Sequence, residues 1–150
     1  MKIVFGIFLC IAIVSTLRVS YKIAWNRVMA NEKSLDKATL FLMQGRFNQS
    51  LAQFEHSITI NPRQKLAWSG KGLCLLYLGR FDEALKSYNQ AMKIDPSFAP
   101  AWKGKGLTLE TMGRYEEAVQ CYNNVLRYYP QNKNVIASRD SCLKMIMEAP

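Results

Sequence analysis

The chain has 150 residues, of which 49% are hydrophobic and 21% charged, and its net charge is +9. That length suits one domain with a short appendage, and the composition excludes a disordered chain. Eight Gly and five Pro exclude collagen-like and Pro-rich classes, and one histidine, His56, speaks against histidine-rich metal sites and histidine-based catalysis. Cys10, Cys74, Cys121 and Cys142 form no C-x-x-C pair, so neither zinc binding nor dithiol chemistry is signalled. They are expected as buried small hydrophobes.

Residues 1–30 differ from the rest. Ile3–Leu17 (IVFGIFLCIAIVSTL) holds no charge and lies between Lys2 and Arg18. As a helix it spans only about 22 Å, but the flanking Lys2 and Arg18 can snorkel to close part of the gap to a ~30 Å hydrocarbon core. The expected role of residues 3–17 is an uncleaved single-pass membrane anchor. A cleaved signal peptide is the alternative, though good small residues before a cut are lacking, and a non-membrane packing helix is a third reading. In the next stretch, Arg18, Tyr21, Lys22 and Trp25 share one helical face. Such a basic and aromatic face suits the membrane interface. Basic residues after the apolar run lean towards a cytoplasmic repeat domain, and unpaired cysteines lean the same way.

From residue 31 onward the chain repeats. Residues 65–98 and 99–132 align without a gap: Trp68 with Trp102, Gly72 with Gly106, Gly79 with Gly113, Ala84 with Ala118, Tyr88 with Tyr122, Pro96 with Pro130. Residues 31–64 keep Gly45, Arg46, Phe47, Phe54 and Pro62 in register. There Ser34 stands for Trp, Ala38 for Gly, and Ser50 and Ser57 for the Ala places, so this copy is degenerate.

Each copy predicts two amphipathic helices. In the second copy Trp68, Gly72, Leu75 and Leu78 form the first stripe, and Gly79 ends the helix. Asp82 and Glu83 then suit a helix start, and Ala84, Leu85, Tyr88 and Ala91 form the second stripe before Asp95-Pro96 breaks it. Gly72 and Ala84 are expected to allow close helix approach.

This period, with W-x₃-G-x₂-L followed by A-x₃-Y and P, resembles the tetratricopeptide repeat over residues 31–132. Lys71 and Lys105 stand where the family usually has Leu, a K-G pairing similar to that of archaeal and bacterial members. The resemblance implies an all-α, right-handed solenoid of three helix pairs. The expected organisation is an anchor and juxtamembrane helix (1–30), a degenerate repeat (31–64), two full repeats (65–98 and 99–132) and a capping helix (133–150). Asp140 occupies a small-residue place in the cap, which suits a polar outer face.

The resemblance also implies that the first helix of each pair lines a concave groove. Here that face carries Leu35, Thr39 and Leu42, then Ser69, Leu73 and Leu76, then Lys103, Leu107 and Glu110, with Tyr77 and Thr111 flanking. So many leucines exceed what a solvated face needs. They suit an apolar or mixed peptide, or an N-terminal helix folded back into the groove. Some family members grip acidic chaperone tails with groove Lys and Asn; the matching places hold Leu35, Thr39, Gly70, Pro100 and Gly104, which supply no such donors.

No phosphate-loop motif accompanies Gly70 or Gly104, and the acid pairs Asp82/Glu83 and Glu116/Glu117 are expected as helix-start charges rather than catalytic groups. Basic and acidic residues alternate, so no nucleic-acid stripe is expected. The sequence thus points to a non-catalytic protein-interaction module without a cofactor or metal, held at a membrane and binding a protein partner or peptide segment. A secreted or periplasmic module, or a self-assembling homo-oligomer, is the alternative.

Overall fold

The computed structural model describes the backbone of residues 2–148 and the side chains of residues 17–148. Among the described residues there are seven helices and no strand: α1 (Lys2–Met43), α2 (Phe47–Ile60), α3 (Lys65–Tyr77), α4 (Phe81–Ile94), α5 (Ala99–Thr111), α6 (Tyr115–Tyr128) and α7 (Lys133–Met147). Consecutive helices pack against each other, and α3 also touches both α1 and α5. The first helices of the three pairs therefore line one wall, and α7 closes the stack.

The turn inside each pair has one construction. Gly45, Gly79 and Gly113 adopt φ of 69°, 73° and 74°. The amide of Gly79 donates to the Leu76 carbonyl and that of Arg80 to Leu75, and the same pair of bonds recurs at Gly45 and Gly113. This Schellman geometry satisfies the last carbonyls of the first helix and needs a left-handed residue that glycine supplies without a Cβ clash.

Aromatic rings interlock the pairs. A Cβ added at Gly72 would lie 2.8 Å from the Tyr88 ring, and one at Gly106 would lie 2.8 Å from the Tyr122 ring. At Gly104 the added carbon would strike the Tyr88 ring again, and at Gly70 the Phe54 ring. In each G-K-G run, the first glycine thus receives the ring of the preceding pair and the second receives the ring of its own. Tyr88 is held between Gly72 and Gly104 and is almost wholly buried. Around these rings the core forms two clusters, one from Ala38 to Ala101 and one from Leu109 to Cys142. Cys74, Cys121 and Cys142 are buried, free thiols, as expected. Burial pushes Cys121 and Cys142 up to about 11, away from thiolate chemistry.

The intervening lysine ties neighbours together. Lys71 donates to Glu55 on α2 at 2.8 Å, and Lys105 donates to Asn89 on α4 at 3.0 Å. The tryptophans, expected within the core stripe, are only half-buried and act as clasps. Trp68 Nε1 donates to the Pro62 carbonyl and Trp102 Nε1 to that of Pro96, both at 2.8 Å. Each indole holds the loop that precedes its helix.

The first pair departs from this scheme for a physical reason. Residues 7–44 contain neither Pro nor Gly, so α1 runs unbroken across residue 30 into the first repeat. No loop precedes that repeat, and Ser34 stands where the clasp would be, donating instead to the Gln53 carbonyl. Ser57 donates to the buried Asn31 at 2.6 Å and Ser50 to the Ala38 carbonyl at 2.7 Å. The serines thus keep the small volume of the Ala places and satisfy their hydroxyls on α1.

Among the described residues no helix is long and apolar enough to cross a membrane. The side chains of the expected anchor, apart from Leu17, lie outside the described residues. From residue 17 to 30 every side chain of α1 is exposed, and Asn31 is the first to be buried. α1 does not turn back in this stretch, so residues 17–30 do not fill the groove.

Candidate partner-binding groove

The wall formed by α1, α3 and α5 carries the residues expected in the groove, but it does not present all of them. Leu76 and Ser69 are buried. They stand one turn before and one turn after Gly72, which meets the Tyr88 ring of α4, and share its inward side, a correction to the expected surface. Leu35, Leu42 and Leu73 are half-buried and pack against the first core cluster. Their leucine character is therefore largely accounted for by packing.

Glu110 is committed elsewhere. Tyr122 Oη donates to Glu110 Oε2 at 2.6 Å, fastening α5 to α6, and the carboxylate also lies against Cys142 on α7. Burial, then this carboxylate, push the Tyr122 phenol well above its ordinary range. The equivalent ring, Tyr88, has no such acceptor, since Leu76 stands where Glu110 does, and its hydroxyl is a buried polar group without a partner.

What the wall leaves open is a smaller set. Tyr77 is 57% exposed and stacks on Phe47 with ring centroids 4.6 Å apart. Leu107 is 38% exposed, and Lys103 and Thr39 are exposed. Thr39 and Thr111 turn their hydroxyls back to the helix, onto Leu35 and Leu107 carbonyls. Two neighbours were missed by sequence reasoning. Leu66 is 54% exposed and Met43 is 83% exposed. Leu66 lies seven residues before Leu73 and eleven before Tyr77, so helical spacing alone could have found it.

Gly70 and Gly104, where a carboxylate-gripping donor would stand, are filled from behind by the Phe54 and Tyr88 rings. No donor can stand there without displacing a core ring. His56 is exposed, with Nδ1 3.3 Å from Ser34 Oγ. Among the described residues no three metal-ligating side chains gather. Arg18, Tyr21, Lys22 and Trp25, expected at a membrane interface, all project from the exposed stretch of α1.

The family model described as tetratricopeptide repeat matches residues 66–98 and again residues 99–132. Residues 66–132 thus match the tetratricopeptide repeat as two consecutive copies. Solved structures share the helical architecture over most of the chain. The tetratricopeptide domain of Arabidopsis OM64 is 23% identical, covering 79% of this chain and 98% of that one, with a TM-score of 0.76. The first such domain of Spaghetti (RPAP3), solved with the HSP90 peptide SRMEEVD, is 17% identical, covering 80% and 95%, with a TM-score of 0.77. The second domain of human RPAP3, solved with the HSP70 peptide SGPTIEEVD, is 22% identical, covering 77% and 97%, with a TM-score of 0.72. No curated protein matches the chain. These neighbours extend the tetratricopeptide architecture to the first pair, α1–α2, which lies outside the family match. They do not carry the expected likeness to archaeal and bacterial members.

Proposed function

We propose that the chain is a non-catalytic protein-interaction module that binds a peptide segment on the open wall of its tetratricopeptide repeats. The observation that carries this reading is the exposure of Leu66 and Tyr77 on α3 and of Leu107 on α5, with Lys103 one turn before Leu107. Apolar anchors on rigid helices next to one cation suit a mixed segment bearing an acidic group. The chaperone-tail peptides seen with the RPAP3 domains are a poor match, because the groove glycines here hold core rings.

The wall is tested by photo-crosslinking in native membranes. A crosslinker at Leu107 is expected to trap a discrete protein adduct, whereas one at Gln120 on the outer helix traps none. Equal adducts at both places, or none at Leu107, would overturn the reading. Leu107→Glu with Leu66→Glu should leave melting within about 3 °C of the parent, because both side chains are substantially exposed. The adduct should be lost.

The module is further proposed to be held at a membrane by residues 3–17, uncleaved, with the repeats on the cytoplasmic side. Support comes from the uncharged run and from the helical stretch behind it, which exposes Leu17, Tyr21 and Trp25 on the face that also carries Arg18 and Lys22. Exposed aromatic and basic side chains together are the composition of the membrane interface. Native protein is expected to pellet with membranes, to resist carbonate extraction and to retain Met1 or Lys2. A mature chain starting beyond residue 16 would overturn it.

A further inference from the structure

The two edges of the solenoid differ in charge, and the difference is aligned with α1. The loops that join one pair to the next, residues 61–64, 95–98 and 129–132, all lie at the edge from which α1 projects, because helices alternate in direction. Direct contacts place the first two there. Arg27 of α1 donates to the Ile60 carbonyl at 2.9 Å, and Lys65 bonds Asp95 across to the next loop. A cleft of about 660 Å³ marks the junction, between Arg27 and Asn31 on one side and Asn61–Gln64 on the other.

This edge displays Arg63, Lys93, Arg127 and Lys133, all exposed and, among the described residues, in no ion pair. Against them stand Glu32 and Asp95, and Asp95 is already taken by Lys65. Tyr128 and Tyr129, 53% and 54% exposed, follow Arg127 directly and lead into the loop before Lys133. At the opposite edge Arg80 and Arg114 are spent on Glu83 and Glu117 within a single turn, at 2.6 Å each, and Arg46 lies over Phe41. Asp82 and Glu116 remain without an ion pair there.

We infer that the loop edge is a lipid-docking surface, which lies down on anionic headgroups when α1 is anchored. The inference rests on the membrane-held reading above. Ten residues of helix separate Leu17 from Arg27, about 15 Å. Headgroups occupy roughly 5–7 Å beyond each face of the hydrocarbon, so the edge stands about one Debye length from the charged surface. A helix tilt of about 20–40° brings the basic and aromatic side chains into contact. Basic residues interleaved with tyrosines are the composition that the interface favours.

The test uses the full chain, with Cys10→Ala and a single added cysteine carrying an environment-sensitive dye. The dye is placed at Gln131 on the loop edge or at Asn48 on the opposite edge, and the native buried thiols do not compete. The chain is reconstituted into phosphatidylcholine vesicles with or without phosphatidylserine, each containing a headgroup quencher. Quenching at position 131 is expected to be at least about twofold greater with phosphatidylserine, to fall at high salt, and to be absent at position 48. Arg63→Gln with Arg127→Gln and Lys133→Gln should abolish the difference while flotation with the vesicles persists. Flotation with equal quenching on both vesicles overturns this inference alone, as does energy transfer between labelled chains showing that the edge pairs with a second copy. Failure to float on either vesicle overturns the anchor and the docking together.

Discussion

Tyr88 and Tyr122 occupy equivalent places in consecutive repeats, yet their hydroxyls have opposite fates. Tyr122 donates to Glu110, while Tyr88, facing Leu76 at the matching place, has no acceptor. A buried hydroxyl without a partner is a cost that phenylalanine removes. Tyr88→Phe is therefore expected to be neutral or stabilising by up to about 1 kcal/mol, and Tyr122→Phe to destabilise by about 1–2 kcal/mol. Urea denaturation of the two variants checks the contrast, and equal losses would contradict it. The glycines make a second contrast. At Gly79 an added Cβ meets nothing within 4 Å, so Gly79→Ala carries only the left-handed backbone cost of about 1–2 kcal/mol. At Gly104 it meets a ring already confined by Gly72, so Gly104→Ala should cost about 1–3 kcal/mol and perturb the Tyr88 fluorescence or ring signals.

At the scale of elements, the joints between repeats rest on short polar devices. Asp95 accepts from Lys65, from Ser97 Oγ at 2.7 Å and from the Ser97 amide at 2.9 Å. Lys65 first, then Ser97, hold the Asp95 carboxyl down to about 2. A carboxylate depressed in the folded state contributes stability above its unfolded pKa, and that contribution disappears as pH falls through the folded value. The melting temperature of the parent should thus exceed that of Asp95→Asn at neutral pH, with the gap closing between about pH 4 and pH 2. Scanning calorimetry across that range measures it, and a gap that widens with acid would contradict the assignment. Asn61 makes the same local turn with the Arg63 amide but forms no ion pair, so the α2–α3 joint should not share the acid sensitivity.

For the molecule as a whole, each pair is buried only against its neighbours, so stability propagates along the stack. The second core cluster is closed by Val135 and Cys142 of α7, both wholly buried. Ending the chain after Asn132 uncovers Val125 and Tyr122 and should lower the melting temperature by at least about 8 °C, with α5–α6 losing amide protection first. Hydrogen exchange resolved by helix provides the check, and uniform loss along the chain would argue against nearest-neighbour coupling. At the other end the stack is closed differently. α1 continues outwards as an exposed helix, and the polar contacts of Asn31, Ser34, Ser50 and Ser57 make the seam. In that arrangement the exposed stretch of residues 17–30 lies between the repeats and the segment proposed as an anchor.

The repeat, its two-helix units and their glycine turns were legible in the sequence, because period, punctuation and small-large pairing are local properties repeated at fixed spacing. Pro96 and Gly79 could be placed without any fold, and so could the tetratricopeptide resemblance. The groove was only partly legible. Stepping one residue from the core stripe selected Leu107, Lys103 and Tyr77, which are open, but also Leu76 and Ser69, which the packing of α4 against α3 buries. A helical face in a three-layered stack has two buried sides, and sequence periodicity reports only their sum. Long-range partners were invisible for the same reason: that Glu110 belongs to Tyr122, that Trp68 holds a loop, and that Gly70 and Gly104 are sockets for the preceding ring. Continuity of α1 could have been read from the missing Pro and Gly. Its emergence on the basic, tyrosine-bearing edge could not, since residues 27, 63, 127 and 133 become neighbours on one edge only when the helices alternate in space.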